Sequence, residues 1–288
     1  MSTLFDRYLN YPVEVTIETT GKCNARCVFC PHSELDRKNT YMPDALFLQI
    51  VDQLEMIPRE HPFFISPFKV NEMLMDKQIF ERIHILNRRL PNACIRFFSN
   101  FNTATLEDIE HIRKIQNLND IDISLNSLDP EEYHALMGLD LDRTLRNINL
   151  LLHHVRSKGL DMRTPKITIS RVSQDAKTDK QFMKAFNKTF HDFAGIVQPL
   201  LIPMGEWINF LPSKAPQKQN QPCLRWRDIN WCCTGIAAFC CMDGLAAYPL
   251  GNVRDSTVLE IYNQPRYRQL RANQPNKSEV TPCRFCSQ

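Results

Sequence analysis

Between residues 12 and 203 the chain alternates between six short, apolar, β-branched segments and five longer segments whose apolar residues recur at helical spacing. The strand segments are PVEVTIET, HPFFISPFKV, CIRFFSN, IDISLNS, KITISRV and IVQPLLIP. Helices are predicted over residues 43–57, 76–90, 104–116, 141–157 and 179–193, with Pro43 opening the first and Asp76 capping the second. Strands strung in series with helices between them pair through crossovers, which gives a mostly parallel sheet with helices packed outside it. The strands are apolar enough to be covered on both faces.

Near residue 205 the rhythm stops. Residues 205–222 are polar and carry three prolines, so they read as a surface connector. Beyond them, DINWCCTGIAAFCCMDG reads as two short strands turning at Thr234 and Gly235, and TVLEIYNQPRYRQLRA as a helix. The expected organisation is a domain over 1–204, a connector over 205–222 and a small second domain over 223–288. That last piece is too small to build much core alone, and a metal group would help to hold it.

Apolar residues make up 43% of the 288, charged residues 23%, and the net charge is +3. Such a mild balance gives no electrostatic footprint for nucleic acid. No apolar run approaches a bilayer's thickness, and the opening residues lack the basic and apolar regions of a leader, so a cytoplasmic protein is expected. In that reducing compartment eleven cysteines point to metal or redox chemistry. Cys94 stands alone and reads as a small buried hydrophobe. Three of the others are Cys23, Cys27 and Cys30, and seven crowd the last 66 residues.

The early group, GKCNARCVFCPH, is C-x3-C-x2-C directly after the first strand. A zinc loop completed by a distant donor such as His32 is one reading. Another is a [4Fe–4S] cluster, which takes one thiolate per iron; three cysteines would leave one iron open to a small molecule. With Phe29 before the last cysteine, the motif resembles that of the radical S-adenosylmethionine (SAM) superfamily. The resemblance implies a partial (β/α)6 barrel whose open iron binds SAM. It also implies reductive SAM cleavage to a 5′-deoxyadenosyl radical, with a flavodoxin- or ferredoxin-type electron donor. Where that family carries a Gly-Gly-Glu-type motif after the second strand, this chain has KVNEML. Glu72 supplies the carboxylate for the SAM ammonium, while Val70 and Asn71 replace both glycines. FFSNFN, with Ser99, resembles the third-strand segment. Ser124 and Asn126 share a face of the fourth strand by two-residue alternation, and Ser170 and Arg171 follow on the fifth. These suit the ribose hydroxyls and carboxylate of SAM.

At the other end, PCLRW, the hairpin with its CC pair, LGNV and the final CRFC resemble the SPASM/Twitch extension of some radical SAM enzymes. The resemblance implies a β-hairpin plus helix holding an auxiliary [4Fe–4S] cluster through Cys223, Cys240, Cys283 and Cys286. Cys240 is preferred to Cys241 because it falls five residues after the hairpin glycine. The spacing alone does not exclude a zinc ribbon with four cysteine ligands. Twitch-type members that dehydrogenate secondary alcohols suggest two-electron oxidation of a small polar molecule such as a polyol, sugar or aminocyclitol. Epimerisation, with Cys241 as hydrogen donor, and oxidation of a ribosomal peptide are the alternatives. With 22 residues before Cys23, a preceding peptide-binding domain is not expected, and a small substrate is favoured. Outside catalysis, a zinc module engaging RNA is the competing reading.

Overall fold

A computed structural model describes residues 8–158, 166–208, 210–212 and 220–286. One nine-stranded sheet organises them, in the order β6-β5-β4-β3-β2-β1-β7-β8-β9. The first six strands are β1 (Glu14–Ile17), β2 (Phe63–Ser66), β3 (Ala93–Ser99), β4 (Leu118–Ser124), β5 (Lys166–Val172) and β6 (Val197–Ile202). All pair in parallel, and the helices between them pack against the curved sheet as a partial barrel. β1 is buried along its whole length, as a central strand covered on both faces must be.

The intervening helices are α1 (Asp44–Leu54), α2 (Ile79–Arg89), α3 (Leu106–Arg113), α4 (Pro130–Met137), α5 (Leu141–Lys158) and α6 (Ala176–Thr189). Their starts follow local chemistry. Thr105 and Asp108 form a reciprocal capping box on α3, and Asp129 caps α4 with Pro130 at its first position. The helix expected from Asp179 begins three residues earlier, because Asp175 accepts hydrogen bonds from Lys177 and Thr178 backbone amides. Asp76 does not cap α2 directly. Its carboxylate accepts from the Gln78 amide in a preceding turn, and the helix begins at Ile79.

The C-terminal strands extend the same sheet. β7 (Asp228–Trp231) runs parallel to β1, with Glu14 opposite Asp228 and Thr16 opposite Asn230. Thr16 Oγ1 donates to Asn230 Oδ1 at 3.0 Å. β8 (Ile236–Ala238) and β9 (Pro249–Asn252) follow antiparallel. The turn between β7 and β8 holds Gly235 at φ +86°, a conformation that favours glycine. The single helix expected over 257–272 divides into α7 (Val258–Tyr262) and α8 (Pro265–Asn273), because Pro265 cannot continue α7. Of the predicted connector, residues 209 and 213–219 lie outside the described residues. Among the described residues no helix is long and apolar enough to cross a membrane.

Candidate active site and cysteine groups

The loop after β1 begins with Gly21, where a Cβ would stand 2.0 Å from the Arg37 carbonyl oxygen, so only glycine allows the crossing. From there the loop is pinned by backbone. The Arg26 and Val28 amides donate to the Met137 and Leu136 carbonyls at the end of α4, at 2.8 and 3.0 Å. Trp207 Nε1 donates to the Phe29 carbonyl at 2.8 Å, and His32 Nε2 lies 2.8 Å from the Gly21 carbonyl. This fastening turns Cys23, Cys27 and Cys30 toward one cavity of about 330 Å³. Burial pushes the Cys23 thiol up to about 12, with the Glu72 carboxylate adding to it, and Cys30 up to about 11. Cys27 is raised further, by burial and then by its two sister thiols. Three thiols buried in one wall resist ionisation unless a cationic metal group compensates the thiolates, which fits an iron–sulfur cluster at this position.

Glu72, Ser99, Ser124, Asn126, Ser170 and Phe29 line that cavity with the triad. Glu72 is almost wholly buried, and burial raises its carboxyl. It accepts from the Leu74 amide (3.1 Å), Ser99 Oγ (2.8 Å) and the Asn100 amide (2.7 Å), while its own amide donates to the Lys22 carbonyl (2.9 Å). Three of a carboxylate's four or so acceptor positions are thus taken, and one is left for a ligand. Asn126 holds a left-handed φ of +61°, its Oδ1 accepting from the Val172 amide at 2.7 Å.

Arg171 is not brought to the cavity. Being adjacent to Ser170 on β5, it faces the other side of the sheet. There its fully buried guanidinium pairs with Asp179 (3.0 Å) and Glu132 (3.1 Å) and donates to the Asn126 carbonyl. Its contact with the cavity is indirect, through Asn126.

Several lining residues escaped the sequence reading: Phe68, Lys69, Phe98, Asp122, Met204, Trp207 and Met242. Asp122 was findable, since it lies two residues before Ser124 on the same strand face. Lys69 is buried, and its Nζ donates to the Asp243 carbonyl at 2.6 Å. The Asp243 carboxylate in turn accepts the Phe239, Ala247 and Tyr248 amides, shaping the loop that carries Cys240, Cys241 and Met242. A buried ion pair reinforces the link. Arg37 bonds Glu18 in bidentate fashion (2.5 and 3.1 Å) and donates to the Gly244 carbonyl, while Glu18 accepts the Cys233 amide.

Cys223, Cys240, Cys283 and Cys286 lie within electrostatic reach of one another beyond this loop. Burial raises Cys240 well above the usual thiol range, and Cys241 and Asp243, then Cys223 and Cys286, add to the rise. Burial likewise pushes Cys283 up to about 11 against a hydrogen bond from Trp226 Nε1 at 3.3 Å. Four neighbouring thiols, with Lys277 and Arg225 as cations beside Cys223, fit a metal group with a closed ligand set. Cys241 does not line the cavity; its field comes chiefly from Arg225 and Asp228. Cys232 and Cys233 are buried in the turn after β7, and Cys94, expected to be buried, is half-exposed. His32 also lines the cavity, whereas the Asp243 carboxylate is consumed by backbone amides.

Residues 17–174 match the radical SAM superfamily, and residues 223–287 match the SPASM iron–sulfur cluster-binding domain. No curated protein matches the chain. Among solved structures, the fold is similar to that of BtrN in complex with AdoMet and 2-DOIA, with 14% identity and a TM-score of 0.64 over 96% of this chain and 93% of that one. It is similar to Streptococcus suis SuiB bound to its precursor peptide SuiA, with 13% identity and a TM-score of 0.68 over 96% and 70%. The same holds for anSMEcpe with bound AdoMet, with 13% identity and a TM-score of 0.65 over 95% and 87%. At these identities the likeness is one of fold.

Proposed function

The chain belongs to the radical SAM superfamily, and on that premise we propose that it oxidises a small polar substrate, a polyol, sugar or aminocyclitol, by two electrons. Membership implies a [4Fe–4S] cluster and SAM, and the SPASM match implies auxiliary iron–sulfur binding. We assign the first cluster to Cys23, Cys27 and Cys30, and the auxiliary one to Cys223, Cys240, Cys283 and Cys286. One observation carries this reading: three thiols, Glu72 and the side chains of Ser99, Ser124, Asn126 and Ser170 line a single cavity. When bound, these groups would supply a 5′-deoxyadenosyl radical that removes a hydrogen atom, and an acceptor for the electron left on the substrate.

The chain's own residues bind and orient. Glu72 offers its remaining acceptor position to the SAM ammonium, and Ser124 its hydroxyl to the ribose or carboxylate. Phe68, Phe98 and Trp207 present aromatic surface to the apolar faces of a ring substrate and exclude water from it. The Lys69–Asp243 bond and the Glu18–Arg37 pair keep the Cys240–Met242 loop against the cavity, so that the two metal positions stay close. A flavodoxin- or ferredoxin-type protein would deliver the reducing electron, in the cytoplasm.

The test is anaerobic reconstitution with iron and sulfide, reduction, and chromatography of the products. Roughly eight irons per chain and release of 5′-deoxyadenosine are expected. Colourless protein that retains zinc, or reduced protein that leaves SAM intact, would refute the proposal. With a substrate in hand, a ketone formed in proportion to the SAM consumed marks dehydrogenation. Solvent deuterium at an inverted carbon would mark epimerisation instead.

A further inference from the structure

The carboxylates inside the barrel are not treated alike. Glu14 pairs with Arg96 at 3.1 Å, Asp120 pairs with the same guanidinium at 3.0 Å, and Asp228 pairs with Arg225 at 3.2 Å. Asp122 has no such direct partner; Arg96 and Lys166 act on it only from beyond ion-pair distance. Among the described residues it forms no ion pair, and its one hydrogen bond comes from Ser170 Oγ to Oδ1 at 2.6 Å. It is half-buried in the cavity wall, and burial raises its carboxyl despite that bond. A carboxylate in a dry wall is costly unless a cation meets it, and one serine hydroxyl offsets only part of the cost.

Its position says which ligand would supply the cation. Asp122 lies one pleat deeper in the barrel than Ser124, the residue assigned to SAM, and the three thiols that would hold the cluster are carried by the loop after β1. On one side its register partner is Phe98, which stacks on Phe68 with ring centroids 5.2 Å apart; on the other it is Thr168. A carboxylate beside an aromatic pair suits a ring that carries an ammonium. The charge meets the acid and the apolar ring face meets the phenyl groups. A neutral hydroxyl would leave the carboxylate with no counter-charge in direct contact, only Lys166 and the Arg96 guanidinium, which lies over Phe98 at 5.1 Å from the ring centroid, acting from further off.

The geometry points to Asp122 as the residue that receives a substrate ammonium, making the substrate class a ring-bearing primary amine. This inference rests on the reading of the cavity given above. It is tested on reconstituted protein with SAM present, by calorimetric titration with cyclohexylammonium chloride and, separately, cyclohexanol. Wild-type protein is expected to bind the ammonium at least about tenfold more tightly than the alcohol. Asp122→Asn should bring the two within about twofold, while Asp122→Glu, which keeps the charge, should retain the preference. The glutamate variant separates loss of charge from loss of fold. Equal or undetectable binding of both probes by wild-type protein, or an asparagine variant that keeps the preference, would overturn the inference. Release of 5′-deoxyadenosine is measured on the same wild-type preparation. If it is released and no amine preference is found, the amine assignment alone falls. If it is not released, the reading of the cavity falls and this assignment with it.

Discussion

The two cysteine groups sit on one sheet in different settings. Cys23, Cys27 and Cys30 are half-buried, lie on a loop leaving the central strand, and face a cavity lined with polar and aromatic side chains. Cys240, Cys283 and Cys286 are buried, with Cys223 half-buried beside them, and none of the four lines that cavity. Three thiols at an open wall suit a metal group that must also bind a small molecule. Four enclosed thiols suit one that only passes charge. The Lys69–Asp243 and Glu18–Arg37 contacts tie the cavity wall to the loop that carries Cys240.

Substitutions can break this contrast in graded steps. Cys27→Ala should cost the most. Release of 5′-deoxyadenosine is expected to fall by more than about a hundredfold, beyond what loss of an outer-shell partner costs. Survival of activity would end the assignment of the triad. Glu18→Gln strikes the joint between the two groups. It leaves Arg37 buried without its counter-charge, and a loss of about 3–5 kcal/mol is expected in anaerobic denaturant titration. A change near zero would mean that the joint does not hold the C-terminal loop. Gly235→Ala is the mildest. The φ of +86° and an Arg254 Nη1 atom 2.9 Å from the added carbon should cost about 1 kcal/mol, read as a small drop in melting temperature with the triad untouched.

Most of the barrel can be read from the sequence because its strands are apolar and β-branched and its helices periodic. Helix α4 is hard to read from sequence despite the Asp129–Pro130 start and Gly138 stop, since eight residues carry little periodic signal. The parallel pairing of β7 with β1 joins residues more than two hundred positions apart, and no local pattern announces it. The site divides in the same way. The triad, Glu72, Ser124 and Ser170 follow from motif and alternation, and the structure brings them to one wall. Grouping Arg171 with Ser170 overlooked that adjacent strand residues face opposite ways. Lys69, Trp207 and Met242 reach the cavity through tertiary folding alone, so spacing cannot reveal them.

The account turns on whether the triad binds its metal group with one corner open to SAM. The direct test is electron paramagnetic resonance of reduced Cys283→Ser/Cys286→Ser protein, in which only the triad keeps its whole set of assigned cysteines, recorded with and without SAM. A SAM-dependent shift of the signal, with 5′-deoxyadenosine still released, is the predicted result. A spectrum indifferent to SAM, with no nucleoside formed, would contradict it.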